Sequence, residues 1–265
     1  MIETVELLTL LCLPAFLLLD LLLPGRTRYR ASRFWRLRAL GVTAFSFWFA
    51  LVVSEQWGAL LGDFTLVDGT RLGTVGGAAV AILLYELAHY GYHRVAHGWE
   101  PLWRLHQMHH SAESLDAFGA NYIHPLDLAF FTTWATLVFV LLGLTPGAVA
   151  LGAGFLAFNA VFQHANVKTP RWLGYLIQRP ESHHLHHARG YHRSNYADLP
   201  LIDMLFGTFE NPAQVEGELG YYDGASARLG SMLVGRDVTV TPEDPAEAPT
   251  RPYSREDVRE LLEAA

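Results

Sequence analysis

Apolar residues run almost without a break over positions 5–23, then over 39–61, 72–93, 126–144 and 146–162, with polar segments between them. A helix needs about 20 such residues to cross about 30 Å of hydrocarbon, and each run is that long or nearly so. The pattern predicts about four to five transmembrane helices. The first run is broken by Pro14 and Asp20. Its leading residues, MIETVE, are acidic, which is wrong for the basic start of a secretory signal, so it is read as a retained membrane helix. The motif LTPG between the last two runs predicts a hairpin. From residue 168 on the chain is polar and expected to be membrane-peripheral. TPEDPAEAPTRP reads as a linker, and SREDVRELLEAA as a short closing helix with Ser254 and Asp257 placed for a capping box. The expected division is a membrane-embedded domain over 1–210 and a polar tail over 211–265.

Charge orients the runs. The segment GRTRYRASRFWRLR carries Arg26, Arg28, Arg30, Arg33, Arg36 and Arg38. A short loop this basic is held on the cytoplasmic side. The loop DFTLVDGTR then falls outside, and the third run returns to the cytoplasm. Histidine-rich stretches at 89–110, 124, 164 and 183–192 all land on the cytoplasmic side of this topology. The arginines that orient the chain carry no information about histidines, so the convergence points independently to one shared site.

Composition narrows the function. Of 265 residues 51% are hydrophobic and only 17% charged, and the net charge is -7. No basic stripe interleaved with aromatics is present, so nucleic acid is not an expected partner. The single cysteine, Cys12, cannot form an internal disulfide. The outlier is thirteen histidines, the commonest metal ligand among side chains.

The histidines fall in boxes: HRVAH at 93–97, HQMHH at 106–110 and HHLHH at 183–187. On a helix, residues three or four apart share a face. HxxxH therefore offers two imidazoles to one point. HxxHH offers two on one face and a third about 100° away, able to reach toward a second metal. Together the boxes supply eight nitrogens, enough for two ions with open positions, and imidazole suits iron, zinc, copper and nickel. His89 precedes the first box by one turn, and spacing alone does not choose between the pairs 89/93 and 93/97. His89, His184 and His192 could equally be interfacial or hydrogen-bonded residues. The boxed histidines are expected to be functional, because ionisable groups at membrane depth are costly.

HRVAH, HGWEPLWRLHQMHHS, ANYIHPLD, FQHANV and PESHHLHHARG with NYADLPLIDMLFGT together resemble the fatty acid hydroxylase / sterol desaturase superfamily over about residues 80 to 210. The resemblance implies an all-α integral membrane protein whose helices are capped by a cytosolic helical lobe holding a histidine-rich dimetal site. It implies two irons, O2 as co-substrate and a lipid substrate to be hydroxylated or desaturated. The implied ligands are His93 and His97 from the first box, His106, His109 and His110 from the second, and His183, His186 and His187 from the third. His184 is left as the variable position. His124 and His164 match recurrent family histidines and join the set. Asn195 and Asp203 match the closing motif, with Asp203 expected to orient a ligand imidazole through its other ring N–H.

The protein's part in such chemistry is to place one carbon and exclude water. Phe130, Phe131, Trp134, Phe155 and Phe158 are candidates for lining the lipid entry. No CxxCH, no flavin-type GxGxxG and no cysteine set is present, so electrons are expected from a separate ferredoxin or cytochrome. A competing reading is a histidine-rich membrane metal-binding or metal-transport protein. A transporter would carry ionisable residues along a path through the bilayer, whereas here the spans are poor in acids apart from Asp20. A zinc peptidase would need HExxH, which is absent.

Overall fold

The structure, a computed structural model, describes residues 2–241 apart from 24, 26–28, 30, 63 and 216. Arg26, Arg28, Arg30, the linker and the closing helix with Ser254 and Asp257 lie outside the described residues. The helices are α1 Ile2–Leu22, α2 Trp35–Leu61, α3 Gly73–Gly98, α4 Glu100–His110, α5 Pro125–Leu141, α6 Pro146–Phe162, α7 Pro180–His187, α8 Pro200–Phe206 and α9 Leu229–Leu233. Three are long and apolar enough to cross a membrane: α1, α2, and α3 together with the short turn Gly69–Leu72 before it. Helices α5 and α6 have 17 residues each. They rise about 26 Å, at the short end for a span. Among the described residues, three helices thus meet the full length of a span, and α5 and α6 form a shorter apolar hairpin beside them.

Helix α3 is central and packs on α4, α5 and α6, while α1 lies on α6 and α2 on α5. Small residues bring α3 and α6 together: a Cβ at Gly77 would stand 3.0 Å from Ala148, and one at Gly147 3.0 Å from Thr74. Such close approach is how helices associate where burial from water gives no drive. Polar pairs hold α2 to α5, with Trp57 donating to Thr133 at 2.9 Å and Thr136 to Ser54 at 3.2 Å. Proline starts α5 and α6 in their first turns, where its missing N–H costs nothing. Gly143 supplies the positive φ, 54°, that closes the turn before α6.

The two ends of the bundle differ. At one end the 64–69 loop docks on the α5–α6 turn, with Leu66 N–H donating to Leu141 O and Gly69 N–H to Leu142 O. At the other end lie α4, α7, α8 and the histidines. Asp20, near the end of the first run, faces this end. Its carboxylate accepts from the backbone N–H groups of Ala117 (2.6 Å) and Asn166 (3.1 Å), tying α1 to the loops around the site.

Residues beyond 210 pack back on the bundle. Met232 and Val238 are buried in one cluster with Trp35, Ala39, Met108 and Tyr122. Gln107 donates to Arg236 O and accepts from Val238 N–H, and Glu113 accepts from Gly224 and Ser226 N–H. Polar composition hid these anchors, since a few buried side chains are enough to dock a segment.

Candidate metal centre

Nine of the ten histidines expected as ligands form two adjacent groups. One holds His93, His97, His106, His110 and His186; the other holds His109, His164, His183 and His187. In each group one ring nitrogen per residue lies within 4.8 Å of all the others. The structure chooses the four-apart pair within each HxxHH box. His106 and His110, four apart, share the first group, while His109 crosses to the second. In α7, His183 and His187 share the second group, and His186 crosses to the first. The two HxxHH boxes are thus used in opposite senses, each giving its outer pair to one group and its middle histidine to the other. The groups touch, with the His110 and His187 rings stacked at 4.2 Å.

The ring nitrogens are set out as donors to a cation would be. Carbonyl and carboxylate oxygens only accept, so a ring nitrogen beside one must donate. His93 Nδ1 donates to Tyr196 O (2.7 Å), His186 Nδ1 to Ser194 O (2.7 Å), His106 Nδ1 to Asp127 (2.8 Å) and His164 Nδ1 to Ala160 O (2.7 Å). In the neutral rings the Nε2 atoms are then bare lone pairs. Yet His93 and His186 bring theirs within 3.2 Å of each other, with no proton to share. Other Nε2 contacts are 3.0–3.2 Å: His93 with His97, His106 with His110, His109 with His164, His164 with His183, and His183 with His187. Two nitrogens bound at right angles about 2.1 Å from one metal stand about 3.0 Å apart, so the donors present fit a metal in each group.

Burial disfavours the charged form of several of these rings. It pushes His109, His110, His183, His186 and His187 well below the ordinary imidazole range, with neighbouring imidazoles adding to the effect. His164 is pushed down to about 4. A neutral imidazole is the form that binds metal.

The remaining expected residues have other placements. His124 joins neither group. Its Nδ1 accepts from Leu126 N–H at 3.1 Å and caps α5, and its Nε2 faces Leu233 O. Asp203 touches no imidazole. It accepts from Tyr196 and Ala197 N–H and from Thr208, fixing the turn whose Tyr196 carbonyl receives His93. Burial raises its carboxyl to about 6. Asn195 has φ 52°, donates to Ser182 O and accepts from Glu210 N–H, holding α7 to the closing motif. Both position ligands through backbone.

The role expected of Asp203 belongs to Asp127, which is buried, accepts from His106, and also receives the Tyr92 hydroxyl. Sequence reasoning missed it, although it stands in the quoted HPLD motif. His192, whose role spacing left open, is half-buried beside His110, with the two Nδ1 atoms 3.1 Å apart. His184 is fully buried and pairs with the Tyr29 hydroxyl at 3.0 Å. His89 stacks on His93 at 5.5 Å but stays out of both groups, which selects 93/97 as the pair of the first box.

A cavity of about 130 Å³ opens beside the groups, between α3, α5 and α6. His93, His106 and His183 form one wall, and Leu128, Phe131 and Leu156 the apolar one. Of the five aromatic candidates only Phe131 lines it. Phe130 stacks on Tyr92, and Phe158 packs with Phe16 and Phe162.

Residues 78–208, the stretch that carries every histidine of both groups, match the family model described as fatty acid hydroxylase. The chain belongs to the fatty acid hydroxylase family. Ornithine lipid hydroxylase OlsE of Rhizobium tropici is 32% identical over 138 residues, covering 50% of this chain and 41% of that protein. Human alkylglycerol monooxygenase is 31% identical over 137 residues, 49% of this chain and 30% of that protein. Very-long-chain aldehyde decarbonylase GL1-7 of Oryza sativa subsp. japonica is 27% identical over 171 residues, 58% and 26% respectively. The chain thus spans less than half the length of each of these relatives. No solved structure matches the chain. The fatty acid hydroxylase match covers α3 through α8, so the site and the helices that carry it are one family unit.

Proposed function

We propose that this fatty acid hydroxylase family member is a membrane-bound di-iron oxygenase that hydroxylates a lipid, using O2 and electrons from a separate ferredoxin or cytochrome. The observation that carries the reading is the pair of buried histidine groups whose bare Nε2 atoms face one another beside an apolar cavity. His93, His97, His106, His110 and His186 would hold one iron, and His109, His164, His183 and His187 the other. Bound iron would supply the oxidant for an unactivated C–H bond, chemistry that no side chain provides.

The chain's own residues do the rest. Asp127, Tyr196 O, Ser194 O and Ala160 O fix the ring tautomers so that Nε2 faces inward. Leu128, Phe131 and Leu156 present an apolar wall that holds an alkyl segment against the histidines and excludes water. The exposed faces of α1 and α2 suit a protein that stays in the bilayer and takes its substrate from it. The arginine-rich segment between α1 and α2 supports a cytoplasmic position for the histidine end. Hydroxylation is preferred to desaturation because the names of the relatives OlsE and alkylglycerol monooxygenase describe oxygen insertion. Metal transport is disfavoured, because the histidines gather at one end of the bundle and Asp20 is occupied by two backbone N–H groups.

The test is turnover. Iron-loaded protein in detergent, with a reduced ferredoxin and O2, should add one oxygen atom to a lipid in a panel that includes ornithine lipids and alkylglycerols, followed by mass spectrometry. His109→Ala should give no product. Iron-loaded protein that oxidises none of a broad membrane-lipid extract would contradict the reading.

A further inference from the structure

Among the described residues, a third group of buried side chains that could hold a metal stands apart from the two imidazole groups. Glu86 and His89 are three residues apart on one face of α3, and Asp198, just before α8, meets them. All three are buried, and one ligand atom of each lies within 4.8 Å of the other two. His89 Nδ1 stands 4.0 Å from Asp198 Oδ2, too far for a hydrogen bond.

Their other atoms are already engaged. Glu86 Oε2 accepts from the N–H groups of Asp198 (2.8 Å) and Leu199 (3.1 Å). Asp198 Oδ1 accepts from Gln163 at 2.8 Å. This leaves Glu86 Oε1 and His89 Nδ1, both buried, without a hydrogen-bond partner. Such orphaned atoms are rare in native structures and call for a cause. Among the described residues, His89 is the only ion-pair partner of Asp198, and Glu86 has none. Two buried carboxylates without a cation are costly.

We propose that Glu86, His89 and Asp198 form a third cation site, binding a divalent transition-metal ion through one imidazole nitrogen and two carboxylate oxygens. A point equidistant from three atoms at these separations lies within about 2.8 Å of each. Divalent cations take oxygen and nitrogen at about 2.0–2.6 Å, so a shift of a few tenths of an ångström closes the site. Mixed imidazole and carboxylate donors suit zinc, manganese or iron. The ion would cancel the two negative charges and satisfy both orphaned atoms. It would also tie α3 to the start of α8, next to the turn that receives His93 through Tyr196 O.

The experiment counts ions. Metal-stripped full-length protein in detergent is titrated with zinc, and bound zinc is read by elemental analysis. His89→Phe keeps the ring contacts with Tyr85, His93 and Phe131 but removes the nitrogens. Asp198→Asn keeps an acceptor for Gln163. Each variant should bind one ion fewer than the wild type. Equal counts in the wild type and the folded variants would overturn the proposal. Two variants on different elements guard against the misfolding of one. His106→Ala reports separately on the imidazole groups, so a one-ion difference at His89 stands or falls whether or not a lipid reaction is found.

Discussion

At the scale of single residues, the hydrogen bonds behind the imidazoles decide which nitrogen faces the metal. Asp127 stands apart from these partners, since it is fully buried and is the one side-chain carboxylate among backbone carbonyls. Asp127→Asn can donate to His106 Nδ1 and permits the wrong tautomer. Metal affinity should fall about 10–100-fold, measured by competition with a chelator. His124→Ala should behave differently. It removes a helix cap, so the protein loses about 1 kcal/mol of stability while bound metal is unchanged. A loss of one metal in this variant would return His124 to the ligand set. His184→Ala should also keep its metal, but at a lower melting temperature, because a buried partner of Tyr29 is lost. These residues show where reading the sequence stops. The clustering of histidines at box spacing was legible, because a helix fixes which residues share a face. The partners of their other nitrogens come from backbone carbonyls at 160, 194 and 196 and from one acid, and no spacing rule reaches across those separations.

At the scale of elements, the boxes became legible only when α4 and α7 met. Each helix gives an outer pair to one group and a middle histidine to the other, so neither group exists without both helices. His106→Ala should therefore lower metal in the first group and His164→Ala in the second, and each should leave metal in the other group detectable by elemental analysis. Equal and complete loss in both would mean that the groups are not separate sites. The hairpin of α5 and α6 was legible from its apolar runs and its LTPG turn, with α6 filling its run and α5 ending three residues before the end of its own. Its turn depends on Gly143, where a Cβ would meet Val67 O at 2.7 Å and the positive φ alone costs about 1–2 kcal/mol for other residues. Gly143→Ala should lower the melting temperature without changing the metal count.

At the scale of the whole molecule, the protein has an apolar bundle with a stapled turn at one end and a buried histidine lobe at the other. That polarity was legible from hydropathy and arginine placement. The docking of residues 211–241 was not, because its anchors are single side chains in a polar stretch. The lobe also sets a pH dependence. Burial holds the folded pKa of His109, His110, His183, His186 and His187 below the ordinary 6.5, and that of His164 at about 4. Below pH 6.5 the unfolded chain takes up protons that the folded chain refuses. Stability is therefore full above that pH and falls as the pH drops toward 4, by about 1.4 kcal/mol per pH unit for each such histidine. Melting temperature and bound metal should fall together over this window. The most direct test of the central claim is Mössbauer spectroscopy of protein from iron-enriched cells. An antiferromagnetically coupled iron pair, lost in His109→Ala, is the predicted result. Iron present only as isolated mononuclear centres, or no iron in protein that retains its fold, would contradict it.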